Sequence, residues 1–215
     1  MILYCRILTS LQRQSRTIPE IDPCKTPVTP SSKNILPKPD KIGYIDFDDH
    51  KLEFVKYCRR NTDSISLILL HEGLGSVSMW HKFPAYLAST TANEVIAYSR
   101  RGYGASSSRN APYSLDYMHL EALDTLPRIF ELLDITEPVL IGHSDGASIA
   151  LIHAANHLSR ARGIAVMAPH IMVEPMSIEA IELTRQQYCA SDLAEKLARY
   201  HDDPASTFWG WNDIW

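Results

Sequence analysis

The chain has 215 residues, 45% of them hydrophobic, and a formal net charge of −4, enough for one domain with a sizeable core. Its charges are dispersed and give no basic field for nucleic acid or an anionic membrane, and no apolar run approaches the roughly 20 residues that span a bilayer. The four cysteines, Cys5, Cys24, Cys58 and Cys189, lack metal spacing and suit a reducing compartment, so free thiols and a soluble, cytoplasmic protein are the expectation.

Residues 1–40 read as a disordered or extraneous leader, punctuated by Pro19, Pro23, Pro27, Pro30, Pro37 and Pro39 without apolar periodicity. Met1 to Thr17 carries Arg6, Arg13 and Arg16 and no acid, which makes a mitochondrial location the alternative. From Lys41 two antiparallel strands are predicted, Ile42 to Phe47 and Lys51 to Tyr57, turning at Asp48-Asp49-His50 and forming a sheet edge. A buried strand follows over Ser64 to Leu70 and ends in His71-Glu72-Gly73-Leu74-Gly75-Ser76. A helix is predicted next, with Ser78 as N-cap and Trp80, Phe83, Tyr86 and Leu87 on one side.

Glu94 to Tyr98 reads as a third buried strand, followed by Ser99-Arg100-Arg101-Gly102-Tyr103-Gly104-Ala105-Ser106. A helix over Ser114 to about Leu133 presents Leu120, Leu123, Leu126, Phe130 and Leu133 to the core, with a kink at Pro127. The apolar run Pro138 to Ile141 then leads into Gly142-His143-Ser144-Asp145-Gly146 and a helix from Ser144 to about Leu158. A serine between a strand and a helix, with glycine two positions to either side, is the pattern of a nucleophile elbow: the sharp turn lifts Oγ above the sheet and only small neighbours avoid a clash.

These three motifs, each at a strand end, resemble the α/β-hydrolase family over about Ile42 to Trp215. The resemblance implies a mostly parallel sheet flanked by helices and a Ser nucleophile, followed in chain order by an acid and a His. It also implies an oxyanion hole from the N–H of Asp145 and an N–H of the earlier loop, assigned to Leu74. The expected catalytic set is therefore Ser144, Leu74 and Asp145, with no cofactor and no metal. The expected activity is hydrolysis of an ester-like or other acyl small-molecule substrate. Domain boundaries follow as 41–169 for the hydrolase core and 170–215 for a helical lid.

After the strand predicted at Gly163 to Ala168, two amphipathic helices are expected over Ser177 to Cys189 and Ser191 to Tyr200, capped by Ser177 and Ser191. Phe208, Trp209, Trp211 and Trp215 would wall a pocket beneath this lid or simply pack it to the core. Family order puts the acid and the His beyond the lid, where the sequence offers no acid at a strand end and no His but His201 in a helical His201-Asp202-Asp203 segment, so the C-terminal strands and helices of the fold are expected to be missing. His170 is the best in-chain base, with Glu174 as its orienter. His71 is read as positioning its loop and His143 as structural. His153 and His157, one turn apart, lack a third metal ligand. A second reading is a truncated, catalytically inactive hydrolase-like binding protein. If the chain is a truncation, the exposed sheet edge favours self-association.

Overall fold

The strand Ser66–Leu70 (β3) and the strand Glu94–Tyr98 (β4) are buried at every residue, as runs of Leu, Ile and Val must be when helices cover both faces of a parallel sheet. The computed structural model describes residues 36–58, 65–109, 112–156 and 160–215. Around β3 and β4 lie Lys41–Asp46 (β1), Lys51–Tyr57 (β2), Val139–His143 (β5) and Gly163–Met167 (β6), in the order β1-β2-β4-β3-β5-β6. The β1/β2 and β2/β4 pairs are antiparallel; β3/β4, β3/β5 and β5/β6 are parallel. β1 and β6 are thus the outermost strands.

Alternation along each strand splits the core into two layers. Ile68, Leu70, Ile96, Tyr98 and Leu140 point to one face, with Leu126, Ile129, Phe130 and Ile149 from the helices. Leu67, Leu69, Val95 and Ala97 point to the other, against Ala85 and Ala88. Burial declines towards β6, which is only half covered where a buried strand was expected.

Helix positions depart from the sequence reading in instructive ways. Ser78 opens a 3₁₀ turn over Ser78–Trp80 and caps nothing, because its Oγ pairs with Ser76 Oγ at 3.0 Å. The helix proper (α1) is Phe83–Thr91, entered after His81 at φ 50°, and it buries Pro84, Ala85 and Ala88 while Phe83 and Tyr86 face solvent. The predicted long helix is Tyr117–Leu120 (α2), a π turn Glu121–Thr125 and Leu126–Leu132 (α3). Pro127 has no N–H and its ring would strike the Leu123 carbonyl in a regular helix. The wider turn, in which Leu126 N–H reaches Glu121 O, relieves this. It also shifts the phase, so Ala122 is buried and Leu120 and Leu123 are exposed.

The helix after β5 (α4) runs Asp145–Ala155, short of the predicted end at Leu158, which with His157 lies outside the described residues. Cys5, Cys24 and nearly all of the leader also lie outside them; Cys58 and Cys189 are free thiols. Beyond β6 come Pro175–Ala190 (α5), Leu193–Leu197 (α6) and Pro204–Ile214 (α7). Ser177 is not the cap of α5: Glu174 holds that position and Pro175 starts the helix. Asp192 stands at the N-cap position of α6 without a side-chain cap bond, and Ser191 Oγ serves both helices, accepting Leu193 N–H at 3.3 Å and donating to Gln187 O at 2.6 Å. α7 was not foreseen, although Asp203-Pro204 carries its signature, with the Asp203 carboxylate accepting Ser206 N–H at 3.0 Å.

Two glycines fix how closely α4 approaches the sheet. A Cβ on Gly146 would strike Leu70 O, and one on Gly142 would strike Gly146 O. Gly146→Ala is expected to cost about 1–3 kcal/mol by overpacking, seen as a lower denaturant midpoint at an unchanged m-value.

Candidate active site

Ser144 occupies the turn from β5 into α4 at φ 52°, ψ −117°, a conformation costly for any residue with a Cβ and found where the surroundings enforce it. Three hydrogen bonds do so. Ser144 N–H donates to Met167 O at 2.9 Å, and Ser144 O accepts the N–H of Ala147 at 2.9 Å and of Ser148 at 3.1 Å. The side chain caps nothing, so Oγ is available for a partner above the sheet. That partner is His170: Nε2 lies 2.8 Å from Ser144 Oγ.

A second strained residue delivers the imidazole. Ala168, at φ 50° just after β6, and Pro169 turn the chain back over α4. Ser148, one turn along α4 from Ser144, holds the main chain of His170 at both ends: its Oγ accepts His170 N–H at 2.8 Å and donates to His170 O at 3.0 Å. Trp215 lies edge-on to the imidazole, ring centroids 4.9 Å apart. Glu174 does not meet His170. It adopts an extended conformation to enter α5, and its carbonyl accepts Ser177 and Ile178 N–H.

Asp145 starts α4, where a helix leaves its first N–H groups without intrahelical carbonyls. Its carboxylate is buried, accepts Tyr117 OH at 3.0 Å and lies 3.7 Å from Arg100 Nη2. Burial drives its pKa up, against the opposing pull of Arg100, Tyr117 and His170.

The loop after β3 is held from inside by Arg100, 3% exposed. Nη1 donates to His71 O at 2.6 Å and Nη2 to Glu72 O at 3.0 Å. Arg100 N–H donates to His71 Nε2 at 3.1 Å while His71 Nδ1 faces Glu72 O at 2.7 Å, which requires the neutral Nδ1–H tautomer. Burial and the Arg100 charge hold the His71 pKa well below the usual histidine value. His143 Nδ1 sits 3.6 Å from Glu72 Oε2. Burial pushes the Glu72 carboxyl up, but the His143 hydrogen bond and the His143 and Arg100 charges outweigh it and leave the pKa lowered. His153 faces the core, Nδ1 on Ala122 O at 2.8 Å.

His201, expected in a helical segment and given no role, instead lies between α6 and α7, is 4% exposed and reaches this loop: Nε2 lies 3.0 Å from Leu74 O. Its partner is 127 positions away, and no local pattern could have revealed it. α7 lies against the same loop, for the Trp211 indole occupies the space that a side chain at Gly73 would need. Ser206, Trp209, Gly210 and Ile214 on another face of α7 line a cavity of about 380 Å³ with Arg109 and Tyr113. The site's chemistry is that of a hydroxyl paired with an imidazole at a helix N-terminus, able to exchange a proton and to favour nearby negative charge.

A sequence profile described as alpha/beta hydrolase fold matches residues 65–206. The sn-1-specific diacylglycerol lipase ABHD11 of Danio rerio is 26% identical over 140 residues, covering 64% of this chain and 43% of that protein. A proline iminopeptidase of Lactobacillus delbrueckii subsp. lactis is 30% identical over 104 residues, covering 47% and 35%. The chain thus spans less than half the length of these relatives. Among solved structures, a carboxylesterase of Nitrososphaera gargenis gives a TM-score of 0.57 at 23% identity, covering 72% of this chain and 57% of that one. Est816, described as an N-acyl homoserine lactone degrading enzyme, gives 0.52 at 22%, covering 65% and 52%. At these identities the structural likeness speaks to the fold.

Removing Arg100 would strand the buried Asp145 carboxylate and two loop carbonyls. Arg100→Ala is expected to destabilise the protein by about 3–5 kcal/mol, measured by chemical denaturation. Arg100→Lys should recover only part, because one ammonium cannot span three acceptors.

Proposed function

The chain belongs to the α/β-hydrolase fold family, and on that footing we propose that it is a hydrolase that attacks an ester-like or other acyl substrate through Ser144. The observation that carries the reading is the 2.8 Å contact between Ser144 Oγ and His170 Nε2, made by a serine in a strained turn at the start of a helix. The relatives' names support an acyl substrate, since a lipase and an iminopeptidase both cleave an acyl group from an oxygen or a nitrogen.

In the proposed reaction Ser144 Oγ attacks the acyl carbon as its proton passes to His170 Nε2. The tetrahedral oxyanion accepts hydrogen bonds from Asp145 N–H and Leu74 N–H, helped by the positive end of α4. Collapse breaks the bond to the leaving group, which takes the proton from His170 and departs. Water then attacks the acyl-Ser144 ester, gives its proton to His170, and the acid leaves as Ser144 regains its hydrogen. While His170 is charged, the Asp145 carboxylate offsets that charge. Helices α5 to α7 act as the lid, with Trp211 and Trp215 as its inner wall.

A second reading, a hydrolase-like binding protein without turnover, is favoured by one observation. Among the described residues no carboxylate is hydrogen-bonded to His170 Nδ1, so the imidazole lacks the orienting partner of a full triad.

The two readings separate in the test tube. Ser144→Ala should abolish labelling by a fluorophosphonate and hydrolysis of p-nitrophenyl acetate, while His170→Ala should slow both about 10²–10⁴-fold. Labelling that persists in Ser144→Ala would refute the nucleophile, and a wild-type chain that neither labels nor hydrolyses the ester would establish the second reading.

A further inference from the structure

His201 makes two hydrogen bonds that together dictate its protonation. Leu74 O, a carbonyl, can only accept, so Nε2 at 3.0 Å must carry a hydrogen. Gly104 N–H can only donate, so Nδ1 at 2.9 Å must be bare. One neutral tautomer satisfies both, and no charged form does. The ring therefore ties the loop after β3 to the loop after β4, two of the three segments that carry the glycine-containing motifs.

Gly104 is fixed from its other side as well. Its carbonyl accepts Asp202 N–H at 2.9 Å, so Gly104 and the 201–202 segment exchange a reciprocal pair of bonds. Gly104 sits at φ 57°, and a Cβ there would strike Glu53 and Ser99. Thr207 Oγ1, at the start of α7, donates to Gly102 O at 2.6 Å. The anchor on which His201 rests is thus rigid, whereas Leu74 stands at the tip of a loop that Arg100 holds only at His71 and Glu72.

We infer that His201 is the positioning residue of the Leu74 loop, a neutral ring that fixes Leu74 against the rigid Gly104 turn and so sets where the Leu74 N–H stands over Ser144. This rests on the reading of Leu74 as an oxyanion donor and deepens it. The groups facing the ring are Glu53 from β2, Glu72 and the neutral His71 from the β3 loop, the adjoining Asp202 and the Tyr103 ring edge. Burial lowers the His201 pKa, against the Leu74 bond and the three carboxylates, which raise it. The neutral form therefore dominates at pH 7. Protonation puts a hydrogen on Nδ1 against the Gly104 N–H and opens the clamp.

Three variants separate the two bonds: His201→Asn keeps an acceptor at the Nδ1 position, His201→Gln keeps a donor at the Nε2 position, and His201→Phe keeps the ring shape without either. Amide exchange at Gly104, corrected for intrinsic rates between pH 7 and 4, should lose protection in the wild-type chain about tenfold per pH unit below the folded His201 pKa. It should stay protected in His201→Asn and be unprotected at every pH in His201→Phe. Wild-type protection that ignores pH, or Gly104 in His201→Phe as protected as in the wild type, overturns the clamp.

For turnover of p-nitrophenyl acetate, His201→Gln, which keeps the bond to Leu74 O without the Gly104 anchor, should lose less kcat than either other variant. His201→Asn and His201→Phe should lose about 10²–10³ in kcat with KM little changed, the loss expected when an oxyanion donor is displaced. Equal kcat in His201→Asn and His201→Gln overturns the positioning of Leu74. If the wild-type chain does not react at Ser144 at all, the nucleophile reading fails by itself, and the clamp stands or falls on the Gly104 exchange.

Discussion

A guanidinium sealed from water is costly unless acceptors and an opposite charge surround it. Arg100 has His71 O and Glu72 O as acceptors and the Asp145 carboxylate as countercharge, with Nε alone left without a hydrogen-bond partner, and so joins the loop after β3, the loop after β4 and the first turn of α4. A second polar brace lies outside it. Glu53 on β2 accepts Ser99 Oγ and Ala105 N–H, and Ser99 Oγ accepts Val77 N–H. The strand ends are therefore held relative to one another by oriented charge and hydrogen bonds rather than by apolar contact, whose energy is indifferent to direction. A site whose partners come from three strand ends needs that directional hold.

The fold was readable because its signals are short-range. Runs such as Ser-Leu-Ile-Leu-Leu and Glu-Val-Ile-Ala-Tyr can be buried only as central strands, and glycines 142 and 146 mark a close crossing whatever lies above it. Errors arose where a residue had two local options. Ser78 could cap a helix or pair with Ser76, and it does the latter. Pro127 predicted a kink, but the π turn that absorbs it also rotates the stripe so that Ala122 replaces Leu123. α7 was written in Asp203-Pro204 and overlooked beneath its aromatic composition.

The site was legible only in part, for a physical reason. Ser144, Asp145 and Leu74 sit in motifs whose backbone demands are local. The approach of His170 to Ser144 depends on Ala168 adopting a left-handed conformation, which alanine does not advertise, and on Ser148 reaching across 22 positions to its main chain. Glu174 and His170 share one loop, yet the first is committed to starting α5 and the second to α4. Proximity in sequence is a poor guide once a helix has to begin between two residues.

The His201 to Leu74 contact also bears on when the molecule acquires its site. Loop closure over 127 positions carries an entropy that only an already ordered framework can offset, because long-range contacts are rewarded after the intervening chain is fixed. β1 to β5 and α4 precede β6 in the chain, so during synthesis most of the sheet is made before His170 and His201 emerge. Folding then ends at the Ser144–His170 contact. For the same reason the contacts that His170 and His201 make across the chain are expected to open before the sheet beneath them.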